Sequence, residues 1–284
     1  MIRLDPDQAL QGRIVVVAPH MDDELIGCGA TLASLSRPDR AFVVYATDGS
    51  RSPESPLPWR RVDRAALARA RREEALEGLE ALGVPSTNAR FLALPDGRLR
   101  RRRSALALEL ARVLDEIRPQ FVLAPFRFDG HPDHLAVSRT VRDLHEAPGG
   151  ARGADNGRAA EQAWRALEYF VYSRWRLLPG GDVRERLRPE CLLALSPGRE
   201  AMERKRRALE LHRTQSTAYF AWQRRPNLTG EFIRRVSGET EAFLDPVRCP
   251  GGIWKRSPWW FRVVHAVEPR LKRAKDRLKA AAHG

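Results

Sequence analysis

The sequence is poor in cysteine and contains no long apolar run. Its 284 residues include three cysteines, Cys28, Cys191 and Cys249, which are widely spaced and form no Cys-x-x-Cys pair. We therefore expect neither a disulfide framework nor a thiolate zinc site. No apolar run approaches the length of a membrane span, and the first residues lack the apolar segment of a signal peptide. A cytoplasmic location is the prediction that follows.

Lysine is also scarce, since it supplies only five of the 50 basic residues, yet the net charge is +14. A basic surface suits nucleic acid, an anionic membrane or a phosphorylated substrate. Arginine dominates residues 98–103, but no helix-turn-helix, zinc-finger, RRM or KH pattern accompanies this run. A run of charge is more often a solvated face, so nucleic-acid binding is kept only as an alternative and no nucleic-acid partner is expected.

The first half of the chain alternates short apolar runs with helical patterns. Continuous apolar runs separated by helices are typical of a parallel sheet covered on both faces, so the sequence predicts an α/β fold. The predicted strands are residues 14–18, 41–46, 91–94, 121–124 and 167–173, with 191–195 as a weaker candidate. The predicted helices are residues 25–35, 60–82, 104–117 and 200–212.

Polar side chains follow four of these strands, directly after each apolar run. His20 follows the first strand, Asp48 the second, Asp96 the third and Asp129 the fourth. Ligands of open α/β sheets bind at the carboxyl ends of the strands. The four strand ends therefore predict one shared pocket.

Two of these strand ends carry metal-binding side chains three residues apart. His20 and Asp23 form one such pair, and His131 and His134 form the other. Residues at this spacing share a face on the first turn of a helix. We assign His20, Asp23 and His134 as ligands, because three protein ligands on Zn²⁺ leave the fourth position for water. Such a donor set would also accept Fe²⁺ or Co²⁺.

The remaining members of the two clusters have the chemistry for acid–base work. Asp22 is the candidate general base for the activated water, and His131 is the candidate oxyanion stabiliser or acid for the leaving amine. Asp133 is the candidate that orients an imidazole. Each cluster has a plainer explanation when taken alone. The acids at 22–24 are common in the first turn of any helix, and an isolated His-x-x-His is common by chance. It is their joint occurrence at two strand ends that predicts a metal hydrolase.

These clusters resemble the two main motifs of the LmbE-like (PIG-L) zinc-dependent N-acetylglucosaminyl deacetylases. Residues 19–24, Pro-His-Met-Asp-Asp-Glu, resemble the first motif, in which proline stands at the place of Met21, and Gly-Cys-Gly follows at 27–29. Residues 131–134, His-Pro-Asp-His, match the second motif. Weaker similarities lie at residues 71–84, 94–97 and 205–216. The resemblance covers roughly residues 12–245.

The resemblance implies a Rossmann-like, three-layer α/β/α fold and hydrolysis of an N-acetyl group from an amino sugar or its conjugate. It supports the ligand and catalytic assignments above, and it suggests that Arg71 and Asp96 contact sugar hydroxyls. Asp129 stands where some members carry a tyrosine that assists the oxyanion, and we place it with the substrate-binding residues. A related zinc amidase that cleaves a larger acyl or thiol-conjugated amide is the alternative on the same scaffold.

The last part of the chain differs in composition from the rest. We expect a deacetylase domain at residues 1–250 and a basic, tryptophan-containing extension at 251–284. Tryptophans and a basic helix in this extension suit peripheral contact with an anionic membrane. The favoured alternative is that the tryptophans pack on the domain, because the helix carries few large apolar residues. The sequence gives no oligomeric state.

Overall fold

The computed structural model, which describes residues 3–52, 62–147, 164–172, 182–238, 240–249 and 251–255, contains one mixed sheet of eight strands. The strands are β1 (Arg3–Leu4), β2 (Ile14–Ala18), β3 (Ala41–Thr47), β4 (Ala89–Leu94), β5 (Phe121–Pro125), β6 (Arg165–Tyr169), β7 (Leu192–Leu195) and β8 (Glu241–Leu244). Their order is β1-β7-β8-β6-β5-β2-β3-β4, and only β8 runs antiparallel to its neighbours. The predicted α/β class is therefore confirmed.

Helices cover both faces of this sheet. They are α1 (Pro6–Ala9), α2 (Asp23–Ala33), α3 (Arg64–Leu82), α4 (Arg103–Ile117), α5 (Pro132–Glu146), α6 (Arg199–Leu211), α7 (Arg213–Ser216) and α8 (Gly230–Gly238). Helices α2, α3, α6 and α8 form one layer, and α4 and α5 form the other. The three-layer arrangement predicted from the family resemblance is confirmed, and none of the described helices has the length and apolar composition to cross a bilayer.

Strand β2 shows why the apolar runs are continuous rather than alternating. Val16 packs in the cluster under α2, α3 and α6, whereas its neighbours Val15 and Val17 pack in the cluster under α4 and α5. Successive side chains of a strand point to opposite faces, so a strand covered on both sides needs an apolar residue at every position. All five residues of β2 are buried.

Two glycines of α2 make room for side chains that pack against the helix. A Cβ at Gly27 would lie 2.2 Å from the ring of Tyr169, and a Cβ at Gly29 would lie 3.0 Å from the side chain of Lys205. Lys205 in turn forms a buried ion pair of 2.7 Å with Glu241, which also accepts hydrogen bonds from the backbone N–H groups of Ala30 and Thr31. The Gly-Cys-Gly sequence thus allows close packing of α2 on β6 and α6.

The sequence predicts no disulfide framework, and it does not predict the one disulfide that the described residues form. Cys191 and Cys249 are bonded across 58 residues of sequence, with their Cα atoms 5.6 Å apart. The pairing arises because the turn after β8 packs beside the start of β7, where the N–H of Asp245 donates to the carbonyl of Cys191 at 2.8 Å. The spacing of the cysteines in the sequence does not predict this contact. A disulfide is typical of oxidising compartments, so the cytoplasmic location remains a prediction without support from this bond.

The described part of the predicted extension packs on the rest of the protein. Ile253 is buried in a cluster with Phe126 and Leu187, and the Trp254 ring contacts Phe128 at 5.5 Å between centroids. The remaining tryptophans and the basic helix, and with them the predicted membrane contact, lie outside the described residues. The boundary at residue 250 therefore remains a prediction.

Candidate active site

The site lies where the chain order of the sheet reverses. From β2 the chain proceeds to β3 and β4 on one side, and then returns to β5 on the other side of β2. The loops after β2 and β5 therefore separate at the carboxyl edge of the sheet and leave a crevice between them, which is where open α/β sheets bind ligands. The two predicted clusters, residues 19–24 and 129–134, lie in these loops and in the first turns of the helices that follow them.

The three predicted ligands present one donor atom each to a common point. His20 Nδ1 and Asp23 Oδ2 are 3.1 Å apart, His134 Nε2 and Asp23 Oδ2 are 3.2 Å apart, and the two nitrogens are 3.3 Å apart. Helix α2 begins at Asp23 and α5 begins at Pro132, so Asp23 and His134 each stand in a first helical turn. The structure thus brings His20, Asp23 and His134 together.

The size of this triangle fits a small divalent cation. Zinc lies about 2.0–2.1 Å from nitrogen and oxygen ligands, and tetrahedral geometry at those lengths separates the ligand atoms by about 3.3 Å. All three edges of the triangle match this separation. His20 Nε2 faces away from the triangle, 3.3 Å from Asp96 Oδ1 and 3.5 Å from Asp133 Oδ2, so a second group of donors shares the same imidazole.

The electrostatics of the site favour a cation. Burial alone would lower the pKa of His134, but the charges of Asp23 and Asp129 outweigh it and raise that pKa to about 9. Burial likewise disfavours protonated His20, yet hydrogen bonds with Asp133 and Asp23 raise the pKa of His20 well above its ordinary value. The buried acids therefore attract positive charge to the position of the imidazoles, which a divalent cation would supply.

Asp22 lies beside the triangle in an unusual backbone conformation. Its φ of 149° falls in a region that residues other than glycine rarely adopt, at a cost of roughly 1–3 kcal/mol, and such strain is concentrated at functional sites. Burial, only partly opposed by the nearby Arg71 guanidinium, raises the pKa of the Asp22 carboxyl to about 6. A carboxyl with this pKa is suited to accept a proton near neutral pH.

Glu24 is a functional candidate to which sequence reasoning gave no role. Its side chain is fully buried, and Oε2 accepts the N–H of Asp22 at 3.1 Å, while Oε1 accepts the hydroxyl of Tyr45 at 2.7 Å. Burial raises the pKa of Glu24 to about 8, although the Tyr45 bond opposes the shift. Glu24 thus holds the backbone N–H of Asp22. The sequence motif includes Glu24 directly after Asp23, but acids are too common in first helical turns for the sequence to predict this contact.

His131 stands next to the triangle but belongs to the capping of α5. Its Nδ1 accepts the N–H of Asp133 at 3.3 Å, and its ring lies 4.8 Å from that of His20 and 4.9 Å from that of His134, centroid to centroid. With the Nδ1 lone pair used by the backbone, the neutral ring carries its proton on Nε2. His131 can therefore present a donor toward a molecule bound at the site.

The two aspartates of the second cluster are both buried. Asp133 accepts the N–H groups of Gly97 and Leu99 at 2.7 and 3.0 Å, which ties α5 to the loop after β4. Asp129 Oδ1 lies 3.3 Å from His134 Nδ1, and the Asp129 carboxylate also accepts the backbone N–H groups of His131 and Tyr172. Asp133 thus lies beside His20, and Asp129 lies beside His134.

The other predicted substrate-binding residues are also largely buried. Asp96 contacts His20, and its Oδ2 accepts the N–H of Arg51 at 3.0 Å. Arg71 is only 2% exposed, and its guanidinium donates to the carbonyls of Met21 and Gly49. Their contact with a substrate remains a prediction that the structure leaves untested.

Residues 15–145 match the PIG-L family, described as GlcNAc-PI de-N-acetylase. The matched segment runs from β2 almost to the end of α5 and includes every site residue described above. This agrees with the family resemblance drawn from the two motifs.

Two curated relatives of the chain are deacetylases of amino sugars. The 1D-myo-inositol 2-acetamido-2-deoxy-alpha-D-glucopyranoside deacetylase of Kineococcus radiotolerans is 35% identical over an aligned length of 207, and the alignment covers 62% of this chain and 55% of that protein. The 2'-N-acetylparomamine deacetylase of Streptomyces fradiae is 32% identical over an aligned length of 167, and the alignment covers 51% of this chain and 58% of that protein. The chain thus spans little more than half the length of these relatives.

The fold has counterparts among solved structures. The conserved protein TT1542 from Thermus thermophilus superposes with a TM-score of 0.55 at 24% identity, over 87% of this chain and all of the other. At this level of identity the similarity concerns the fold alone. It agrees with the α/β arrangement built on β2 and β5.

Proposed function

We propose that this protein is a divalent-metal-dependent hydrolase that removes the acetyl group from an N-acetylated amino sugar or its conjugate. The observation that carries the proposal is the convergence of His20 Nδ1, Asp23 Oδ2 and His134 Nε2 at 3.1–3.3 Å, with the strained Asp22 beside them. The match of residues 15–145 to the PIG-L family and the two amino-sugar deacetylases similar to this chain support the choice of reaction.

The three ligands would hold zinc, although iron(II) or cobalt(II) would also suit two imidazoles and a carboxylate. When bound, such a cation supplies a Lewis acid that acidifies water and polarises the amide carbonyl. Asp22 accepts a proton from the attacking water, whose oxygen forms the new bond to the carbonyl carbon. Cleavage of the C–N bond then releases acetate, and the nitrogen leaves as an amine after it has gained a proton.

His131 stabilises the charges that develop during this reaction. Because Nδ1 accepts the N–H of Asp133, the neutral ring carries its proton on Nε2. A donor there stabilises the oxyanion that forms as water adds, or protonates the departing nitrogen. Asp133 supports this geometry through its own backbone N–H and through its contact with His20, which agrees with the orienting role predicted for it.

Asp129 is better suited to orienting His134 than to binding a sugar. Its carboxylate is 1% exposed and lies behind the imidazole, on the side away from His20 and Asp23. Carboxylates at this position fix the ring orientation of a metal-binding histidine and raise its basicity. Asp96 is better placed than Asp129 to bind a substrate hydroxyl, because it is 9% exposed and lies beside His20.

The test is acetate release from a panel of N-acetylated amino sugars in free, phosphorylated, nucleotide-linked and lipid-linked form. Wild type reconstituted with zinc should release acetate, and both chelated protein and Asp22→Asn should lose at least about 100-fold in kcat. Asp115→Asn, an exposed aspartate on α4, is the matched control and should keep full activity. If metal-loaded wild type releases acetate from no member of the panel but cleaves larger N-acyl amides, the amidase alternative replaces the deacetylase.

A further inference from the structure

The loop after β4 is tied to the candidate metal site by Asp133. Its carboxylate accepts the N–H groups of Gly97 and Leu99 at 2.7 and 3.0 Å, and its Oδ2 atom lies 3.5 Å from Nε2 of His20. Arg98 stands between these two N–H donors and is exposed, whereas Leu99 is fully buried. The loop therefore presents the Arg98 side chain to solvent from a backbone that is fixed beside the site.

A second arginine reaches the same loop from the end of β3. The N–H of Arg51 donates to Oδ2 of Asp96 at 3.0 Å, and Oδ1 of Asp96 lies 3.3 Å from Nε2 of His20. The guanidinium of Arg51 lies over Gly97, where a Cβ would be 2.7 Å from Nη1. Gly97 also has a φ of +73°, which favours glycine. Arg51 and Arg98 therefore both lie beside Gly97, directly next to Asp96.

The charges of this loop are segregated, with arginines in solvent and aspartates turned inward. The exposed arginines after β4 are Arg98, Arg100, Arg101 and Arg102. None of these four forms an ion pair within the part of the chain that the structure describes, whereas the next arginine, Arg103, pairs with Asp143. Asp96 and Asp133 instead accept backbone N–H groups. The outer face of the loop thus carries an unbalanced positive charge, in a chain whose net charge is +14.

We propose that this loop is a phosphate subsite, formed by Arg51, Arg98 and the arginines at 100–102, and that the substrate is an N-acetylated amino sugar bearing a phosphate ester. The proposal rests on the proposed function, because the sugar ring would occupy the site beside Asp96 while its phosphate lies over Gly97. Guanidinium groups suit this ligand, since a planar fork binds two oxygens of one phosphate at once. Arginines grouped at the edge of a pocket also attract an anionic substrate from solution.

The kinetic test compares substrates that differ in the phosphate. They are methyl N-acetyl-α-glucosaminide, N-acetylglucosamine 1-phosphate, N-acetylglucosamine 6-phosphate and uridine diphosphate N-acetylglucosamine. The zinc-loaded protein should show a KM about 10- to 100-fold lower for at least one phosphorylated sugar than for the neutral glucosaminide, the range that charge-assisted hydrogen bonds supply. The difference should shrink as the salt concentration rises from about 0.05 to 0.5 M, because salt screens exposed charges. Equal KM values for all four substrates would overturn the proposal.

Arg98→Gln tests whether this arginine carries the preference. It should reduce the KM ratio between the neutral and the preferred phosphorylated sugar to about threefold or less, and Arg51→Gln should reduce the ratio in part. Arg13→Gln is the control, because Arg13 is exposed and directly precedes β2, whose five residues span about 16 Å to the edge that carries the site. It should keep the wild-type ratio. An equal loss in Arg13→Gln, or no loss in Arg98→Gln, would overturn the subsite.

Binding of the deacetylated sugars distinguishes a failure of this inference from a failure of the proposed function. Calorimetry on the zinc-loaded protein compares glucosamine with glucosamine 1-phosphate and glucosamine 6-phosphate, which have no acetyl group to lose. At least one phosphorylated sugar should bind about 10-fold or more tightly than glucosamine, whether or not the protein releases acetate from any substrate. Arg98→Gln should remove this difference. A difference that persists in Arg98→Gln would show that the phosphate binds elsewhere, such as on the metal, and would overturn the subsite.

Two further outcomes have separate meanings. Acetate release without any preference for phosphorylated sugars would support the deacetylase and overturn the subsite. A single-stranded oligonucleotide that binds more tightly than every sugar phosphate, and that loses its affinity in Arg98→Gln, would make the loop a nucleic-acid surface and would also overturn it.

Discussion

The Oδ1 atom of Asp129 lies 3.3 Å from Nδ1 of His134, on the opposite side of the ring from the ligand triangle. The two residues are five positions apart at the start of α5, and both are almost completely buried. A carboxylate on this side of the ring favours the tautomer that is protonated on Nδ1. An imidazole protonated on Nδ1 offers its Nε2 lone pair to a cation.

We expect Asp129→Asn to weaken metal binding about 10- to 100-fold, because loss of the carboxylate behind a ligand histidine has effects of this size. The measurement is competition for zinc against a chromophoric chelator. Asp115→Asn should bind zinc as wild type does. Unchanged zinc affinity in Asp129→Asn, together with a raised KM for the amino sugar, would instead support the substrate-binding role first predicted for Asp129.

The Lys205–Glu241 pair should be important for stability rather than for the reaction. Glu241 accepts three hydrogen bonds in the interior, from Lys205 Nζ and from two N–H groups of α2. Lys205→Met would leave the Glu241 charge without its partner and should lower the free energy of unfolding by about 3–5 kcal/mol. Urea unfolding measures the loss, and Lys255→Met, at an exposed lysine, is the control.

The double variant Lys205→Met with Glu241→Gln removes both charges and should recover part of the stability. If Lys205→Met alone is as stable as wild type, water must reach Glu241. The buried ion pair would then have no role in stability.

His212 should make the protein sensitive to acid. It is fully buried, and neither ring nitrogen has a hydrogen-bond partner within the described part of the chain. Burial, with the nearby charges of Arg71 and Arg213, lowers the pKa of His212 to about 3. The unfolded chain binds a proton here below about pH 6.5 and the folded protein does not, so this group destabilises the fold progressively as pH falls from about 6.5 toward 3.

We expect His212→Gln to reduce this dependence by up to about 1.4 kcal/mol per pH unit, the value for one proton. Urea unfolding at about pH 7, 6 and 5 gives the slope for the variant and for wild type. His145→Gln is the control. Parallel slopes in wild type and His212→Gln would contradict the account of this residue.

The sequence predicts the parts of the fold that depend on local patterns. The runs around Val16 and Val122 are apolar at every position because helices cover both faces, and a strand of this kind is recognisable without knowledge of its partners. Once these two strands are recognised, their carboxyl ends are known. The clusters around His20 and His134 can then be placed at the same edge of one sheet. The convergence of the ligand atoms follows from this placement.

The features that the sequence did not predict arise from long-range contacts. Strand β8 is inserted antiparallel between β6 and β7, and Glu241 at its start contacts Lys205 and α2, which lie far away in the chain. The Cys191–Cys249 bond depends on the same insertion. The burial of Arg71 was also not predicted, because an arginine among charged helix residues has the same local pattern whether it faces solvent or a loop of the site.

Anomalous scattering at the zinc edge, from crystals of the zinc-loaded protein, tests the central claim most directly. The account predicts one peak about 2.0–2.2 Å from His20 Nδ1, His134 Nε2 and an oxygen of Asp23. It also predicts that Asp22 is close to this peak but does not ligate it. A peak among His20 Nε2, Asp96 and Asp133, or no peak in crystals soaked with excess zinc, would contradict the assignment of His20, Asp23 and His134 as the metal site.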